Sequence, residues 1–290
     1  MQTNSLTAVI LAKNVEKTIS TCLLSLNWVE NIIVIDDSSE DNTKKIAEKF
    51  GAKVYQRILD TFCAQRNFAL GKVTTEWVLF IDTDEEVPPA LATEIQKVIT
   101  TPDYNGYRFP RKNIIFGKWI QHTGWYPDYQ LHLFKTTKGH YVREVDEQVE
   151  ISGPIGELKE ALIHHNYDSI AHYLLKRPLY TQLEARKKIK EGYGFQWADL
   201  INKPLNEFLR RFFAEKGYLD GTHGLILSLL QSYSVLLTYL NIWEIQGSQS
   251  EELINFPQEL DKAGHDLYYW LEKNTPSKFN KLRYRIKQKL

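Results

Sequence analysis

Over the first hundred residues, short apolar runs alternate with stretches of helical spacing. "LTAVILA" at Leu6–Ala12 is an unbroken, β-branched run suited to a strand buried on both faces, and "VEKTISTCLLSLNWV" follows with Ile19, Leu23 and Leu26 on one helical stripe. "NIIVIDDSSEDNTKKIAEKFGA" repeats the pattern: a strand from Asn31 to Ile35, a polar turn, a helix opening near Asp41 and Asn42, and Gly51 as its stop. "KVYQRI" predicts a third strand, "FCAQRNFALGKV" a helix and "EWVLFI" a fourth strand. A further helix starts at Pro88 or Pro89, where a missing N–H costs nothing. The alternation predicts an α/β domain: a mostly parallel, Rossmann-like sheet flanked by helices, with right-handed crossovers.

The later chain reads differently. Gly224 to Trp243 carries no charge, long enough to cross a bilayer, but Ser228, Gln231, Ser232, Ser234, Thr238 and Asn241 interrupt it. The expectation is a buried or in-plane helix with its apolar face through Leu225, Leu229, Tyr233, Leu236 and Leu240. "KFNKLRYRIKQKL" sets Phe279, Leu282, Ile286 and Leu290 among Lys278, Lys281, Arg283, Arg285, Lys287 and Lys289, with no acid. Such a tail suits either an anionic inner-membrane surface or plain solvent.

Composition removes whole classes. A 43% apolar and 25% charged chain of 290 residues is not globally disordered, and 36 basic against 36 acidic residues give no bulk attraction to a polyanion, so no nucleic-acid partner is expected. Cys22 and Cys63 fit no metal spacing and read as reduced thiols on helices. "MQTNSLTAVI" lacks the basic and long apolar regions of a secretory signal, so a cytoplasmic location is expected.

Charge matters locally. "WVLFIDTDEEVPP" places Asp82, Asp84, Glu85 and Glu86 side by side at the end of the fourth predicted strand, and "VIDDSS" places Asp36 and Asp37 at the end of the second. Open parallel sheets bind ligands beyond the carboxyl ends of their strands. Acids there also cap helices, so either cluster alone is ambiguous; two on one edge point to a ligand. Two acids in a D-x-D turn can hold a hard divalent cation and leave positions for water and diphosphate oxygens.

"VILAKNVEKTISTCLLSL", "IIVIDDSSEDNT", "AQRNFAL" and "WVLFIDTDEE", in that order and at these intervals, resemble the family 2 glycosyltransferases, which have the GT-A nucleotide-sugar-binding fold. Three later segments, "RKNIIFGKWIQHTGWYPDYQLHLF", "VDEQVEISGPIGELKEALIHHNYDSIAHYLLK" and "KGYLDGTHGLILSLLQSYSVLLTYLNIWE", look like the bacterial lipopolysaccharide core WaaE-like glucosyltransferases. The resemblance implies a GT-A nucleotide-sugar-binding and catalytic domain over residues 1–165. It also implies a mainly helical region over 166–290, on the acceptor or membrane side. The implied donor is a nucleotide-diphosphate sugar such as UDP-glucose, used with Mg2+ or Mn2+. The implied acceptor is a lipopolysaccharide or lipooligosaccharide core, or another glycan or lipid-linked glycan.

By position, the resemblance implies that Asp36, with Asp37, bonds the base or ribose, and that Arg66 reaches the diphosphate or a nearby carboxylate. Asp84 is the stronger metal ligand, with Asp82 bridging ribose and metal, while Asn14 and Glu16 are donor-side polar residues. Arg66 as a surface ion-pair partner and Asn14 as a turn residue are the plain alternatives. Lys13 stands where many members carry an aromatic residue, and Val145-Asp146-Glu147 stands where the core group reads V-H-E.

Inverting transfer needs a base opposite the leaving diphosphate. Asp128 is the first choice, because Trp125, Tyr126 and Tyr129 around it can stack on sugar faces; a buried structural acid is the alternative, and Asp146 and Glu147 are the runners-up. His132, His164 and His165 are candidates for a further metal ligand or a phosphate contact, with His164 first; single histidines are as readily structural. Glu85 and Glu86 either tune the site or favour the next helix's positive end. Two other classes compete. A sugar-nucleotide pyrophosphorylase normally has a glycine-rich loop after its first strand, and "LAKNVEKT" has no glycine. A non-catalytic nucleotide-sugar-binding protein would use the same acids without transfer.

Overall fold

The computed structural model describes residues 5–143, 147–250 and 252–288. Strands are β1 Leu6–Ala12, β2 Asn31–Asp36, β3 Lys53–Gln56, β4 Trp77–Phe80, β5 Glu85–Glu86, β6 Gly106–Ile115, β7 Lys118–Trp119, β8 Asp128–Lys135, β9 Gly139–Val142, β10 Gln148–Ile151, β11 Ile155–Glu157 and β12 Leu162–Tyr167. Helices are α1 Ile19–Ser25, α2 Thr43–Lys49, α3 Phe62–Leu70, α4 Pro89–Thr100, α5 Ile170–Lys190, α6 Asp199–Leu209, α7 Thr222–Ile245, α8 Phe256–Asn274 and α9 Lys278–Lys287. A π turn at Arg210–Ala214 and a 3-10 turn at Gly217–Asp220 lie between α6 and α7. The chain forms two compact units, residues 1–114 with 126–166, and residues 115–125 with 167–290.

In the first unit one sheet runs β3-β2-β1-β4-β8-β6-β12-β5. β3, β2, β1 and β4 are parallel; β1, β2 and β4 carry the apolar runs that suit strands covered on both faces, and β4 is buried at every position. Beyond β4 the sheet continues antiparallel through β8 and β6. One face packs Ile10, Trp77 and Leu79 against Leu23 of α1 and Leu91 and Ile95 of α4, and the other packs Val9, Ile35 and Phe80 against Ala69 of α3. Local chemistry sets the ends. Gly51 closes α2 at φ +81, Thr61 caps α3 through the Ala64 N–H, and Pro89 begins α4. The chain thus turns toward each helix at one sheet edge, where both acidic clusters lie.

The second unit is mainly helical, and its helix α7 is the one expected to be buried or in-plane. The packed face of α7 carries Ser228, Ser234 and Thr238 beside Leu227, Tyr239 and Ile242, whereas Leu225, Leu229, Tyr233 and Leu240 of the predicted apolar face are exposed. Ser228, Ser234 and Thr238 donate to the carbonyls of Gly224, Leu230 and Ser234, so these hydroxyls are satisfied within the helix while their small size admits neighbours closely. Gly224 shows the same demand: a Cβ there would lie 1.8 Å from the Gly217 carbonyl oxygen. By length and composition α7 passes for a membrane span, at 24 residues with a mean hydropathy of 1.5 in its most apolar stretch.

Candidate active site

The D-x-D turn leaves β4 directly, and its four acids are each held differently. The Asp82 N–H donates to Glu85 Oε2 at 2.9 Å and the Glu85 N–H returns to the Asp82 carbonyl at 3.0 Å, closing the turn. Glu85 is fully buried, and its other oxygen lies 3.5 Å from Arg111 Nη1. Burial, reinforced by the Asp82 charge, lifts its carboxyl to about 8. Asp82 accepts from Arg66 Nη2 at 3.1 Å; burial, the largest single influence, works against ionisation, but the Arg66 charge and hydrogen bond together with the neighbouring positive groups outweigh it and hold the carboxyl below its ordinary range. Glu86 pairs with His165 Nε2 at 2.6 Å. Asp84 faces His164 Nε2 across 3.6 Å. Two of these partners come from β12, whose antiparallel pairing sets His164 opposite Glu85, and the His165 N–H donates to the Asp84 carbonyl at 2.8 Å. Glu85 and Glu86 therefore form a strand rather than favouring the next helix, and the first turn of α4 contains no acid.

A cleft of about 620 Å³ opens beside the turn, lined by Arg66, Asp82, Arg111, Tyr129, His132 and Glu147 among others. Arg66 reaches the expected nearby carboxylate and also Glu147, whose Oε1 is 3.3 Å from its Nε, and it lies over the rings of Phe80 and Tyr141. His132 is buried and stacked on Phe109; burial drives its pKa down to about 4, so it is neutral, and its Nε2 has no hydrogen-bond partner. Asp128 accepts from Arg111 Nε at 2.9 Å and Nη2 at 2.6 Å, from Gln130 Nε2 at 2.7 Å, and from Asn113 Nδ2 at 3.4 Å. Burial opposes ionisation here, but the Arg111 charge and these bonds outweigh it and hold the carboxyl below its ordinary range. Of the aromatic residues expected around Asp128, Tyr129 lines the cleft, while Trp125 packs against Tyr167 in the second unit. Asp146, with Val145, lies outside the described residues.

At the end of β2, Asp36 is fully buried; its Oδ2 accepts from the Ser39 N–H at 3.1 Å and its Oδ1 has no partner. Asp37 is spent on Lys13 Nζ at 2.7 Å and the Leu59 N–H at 2.8 Å; the Lys13 and Leu59 bonds hold its carboxyl below the ordinary range. Asn14 Oδ1 accepts from the Glu40 N–H, and Glu16 Oε2 accepts from Asn42, so both side chains brace the loop after β2.

Arg111 and Asn113 were not among the sequence candidates. They are two apart on β6 and so face one side, opposite Asp128 at the Arg111 register; alternation in "RKN" was the available signal. Among the described residues, no three His, Cys, Asp or Glu side chains gather as a ready-made metal cage. The donor set nonetheless fits a hard cation, which keeps water and substrate phosphate oxygens and needs one or two carboxylates from the protein.

Residues 7–162 match the model of glycosyl transferase family 2. The chain is 26% identical over 257 residues to an uncharacterized glycosyltransferase of Rickettsia conorii, covering 83% of this chain and 91% of that one. It is 24% identical over 248 residues to the lipopolysaccharide core biosynthesis glycosyltransferase LpsC of Rhizobium meliloti, covering 82% and 92%. Among solved structures, S. aureus TarS 1-349 in complex with UDP aligns with a TM-score of 0.44 at 17% identity, covering 98% of this chain and 88% of that one.

Proposed function

The chain belongs to glycosyl transferase family 2 and uses a nucleotide-sugar donor, and from that premise we propose that it moves a hexose, glucose from UDP-glucose, with inversion, onto a lipopolysaccharide or lipooligosaccharide core. Residues 1–165 would then bind donor and carry the chemistry, and residues 166–290 would serve the acceptor side. Likeness to a lipopolysaccharide core enzyme supports the acceptor.

The observation that carries the reading is Asp36. A buried carboxylate oxygen without a partner costs about 1–3 kcal/mol, which a ligand hydroxyl or N–H at that strand end would relieve. Ribose or base supplies such a donor. Asp82 and Asp84 would hold Mg2+ or Mn2+, which when bound would offset the charge on the departing nucleoside diphosphate. Arg66 adds a positive charge at the same edge and keeps Asp82 ionised.

Asp128 takes the proton of the acceptor hydroxyl as its oxygen bonds to the anomeric carbon and the bond to diphosphate breaks. Arg111 keeps Asp128 ionised at neutral pH, so the base is always available, while its low basicity delays proton transfer until the new bond is well formed. Glu147, beside Arg66 in the cleft, is the alternative base. The basic helix α9, with Phe279, Leu282 and Ile286 exposed, supports work at the inner face of the plasma membrane, where a lipid-linked acceptor would lie.

A panel of nucleotide sugars with Mn2+ or Mg2+ tests the reading. Nucleoside diphosphate release is expected with one donor, and Asp36→Ala should weaken UDP binding by about 10-fold or more, the loss of one charge-assisted hydrogen bond. Pyrophosphate formation, or full activity in Asp84→Ala, would refute it.

A further inference from the structure

Asn113 sits fully buried on β6 between two groups of the site. Its Nδ2 lies 3.4 Å from Asp128 Oδ2, and its Oδ1 lies 2.7 Å from His164 Nδ1 and 3.4 Å from Asn166 Nδ2. An ionised carboxylate only accepts hydrogen bonds, so Asp128 obliges the Asn113 amide to present its NH2 on that side and its carbonyl on the other. Asn166 Nδ2 donates to the same oxygen, in keeping with that orientation. A carbonyl oxygen at 2.7 Å from an imidazole nitrogen requires that nitrogen to carry the proton. In its neutral form His164 is therefore protonated on Nδ1, and its Nε2 presents a lone pair. That lone pair faces Asp84 Oδ2 at 3.6 Å, too far for a hydrogen bond and with both edges electron-rich.

We propose that Asn113 is a positioning residue: oriented by Asp128, it fixes His164 as the Nδ1–H tautomer so that Nε2 and Asp84 together present two lone-pair donors to a divalent cation. The inference rests on the cation reading above. It couples the base side of the reaction to the donor side through Asp128, Asn113, His164 and Asp84. Arg111 anchors the first member by two hydrogen bonds, and Gln130 occupies the second Asp128 oxygen, so the carboxylate has one orientation available. Partners of this kind behind a histidine ligand fix its tautomer and ring angle, and losing one typically lowers metal affinity by about 10–100-fold.

The test reads the tautomer and the cation separately. With 15N-labelled histidine, nitrogen NMR of the full chain should show His164 protonated on Nδ1 and bare on Nε2, the resonance being assigned from His164→Gln. Asn113→Leu should lose that preference, and Asn113→Asp, which retains an acceptor, should keep it. Asp128→Asn allows the Asn113 amide to turn over and should shift the tautomer without deleting a side chain, which covers the case in which Asn113→Leu fails to fold. Mn2+ titrated with UDP present, followed by electron paramagnetic resonance, should show an imidazole nitrogen coupling that is absent in His164→Gln. Affinity should fall about 10–100-fold in Asn113→Leu. A proton on Nε2 in the wild-type protein, or an unchanged tautomer in both Asn113→Leu and Asp128→Asn, overturns the proposal. Mn2+ binding lost in Asp84→Asn but untouched in His164→Gln overturns it while leaving the cation reading intact; no Mn2+ binding by the wild-type protein removes both.

Discussion

Replacing Arg66 with leucine removes the guanidinium that separates Asp82 from Glu147 while keeping apolar contact with Phe80 and Tyr141. Its two contacts, at 3.1 and 3.3 Å, are each worth about 5 kcal/mol gross at an effective dielectric near 20. Desolvation of the cation and the partial exposure of Asp82 (38%) and Glu147 (22%) cancel most of this, leaving a deficit of about 2–4 kcal/mol at neutral pH. The pH dependence separates charge from packing. In the wild-type protein the Asp82 carboxyl lies below its ordinary 3.8, so its contribution is complete above that value and fades as pH falls through the lowered one. Without Arg66, burial and the neighbouring acids raise that carboxyl above its unfolded value. The acid then destabilises the fold at neutral pH, and the deficit shrinks as acid protonates it. Urea unfolding midpoints at pH 7 and near pH 4.5 measure this, with the gap between wild type and Arg66→Leu expected to narrow markedly at the lower pH. Equal gaps at both would mean that Arg66 acts through packing, and the electrostatic account would be refuted.

Glu85→Gln tests the buried acid. A carboxyl raised from 4.5 to about 8 contributes stability below pH 4.5 that is lost as pH rises through 8, so wild-type thermal midpoints should fall across that window and the variant's should stay flatter; parallel curves would show that Glu85 does not titrate as described. For α9, each basic side chain near an anionic bilayer is worth up to about 1 kcal/mol, so reversing the exposed Lys278 and Lys281 to glutamate should cut sedimentation with phosphatidylglycerol vesicles by about 10-fold or more. Equal binding of wild type and variant, or binding as strong to neutral vesicles, would rule out the electrostatic attachment.

The parallel half of the sheet was legible because strands buried on both faces must be continuously apolar, and β1, β2 and β4 are. β5 was not legible, since two consecutive glutamates carry no strand signal and pair only because β12 reaches them from far along the chain. Asp36, Asp82 and Asp84 were readable from their places after strands, and Arg66, on α3, only from the resemblance. What Asn14 and Glu16 bind was not: their partners lie about 25 residues away in a loop whose path depends on the fold. Arg111 and Asn113 needed the register of β6 on β8. The apolar stripe of α7 was legible but its direction was not, because a buried and an in-plane helix carry the same stripe. Here the inner stripe is made of hydroxyl residues that satisfy themselves within the helix.

The pairing of β5 with β12 has a consequence for how the site comes into being. Every proposed donor-side motif has been synthesised by residue 86, yet the strand that carries the Glu86 partner His165, sets His164 beside Asp84 and bonds the Asp84 carbonyl arrives only at residues 162–167. A nascent chain emerging from the ribosome, or a fragment cut before β12, would thus carry the whole D-x-D signature and still lack the partner of Glu86 and the backbone bond that fixes the turn at Asp84. The signature and a working edge are separated by some eighty residues of translation, and the second strand, not the motif, marks the moment the edge is complete.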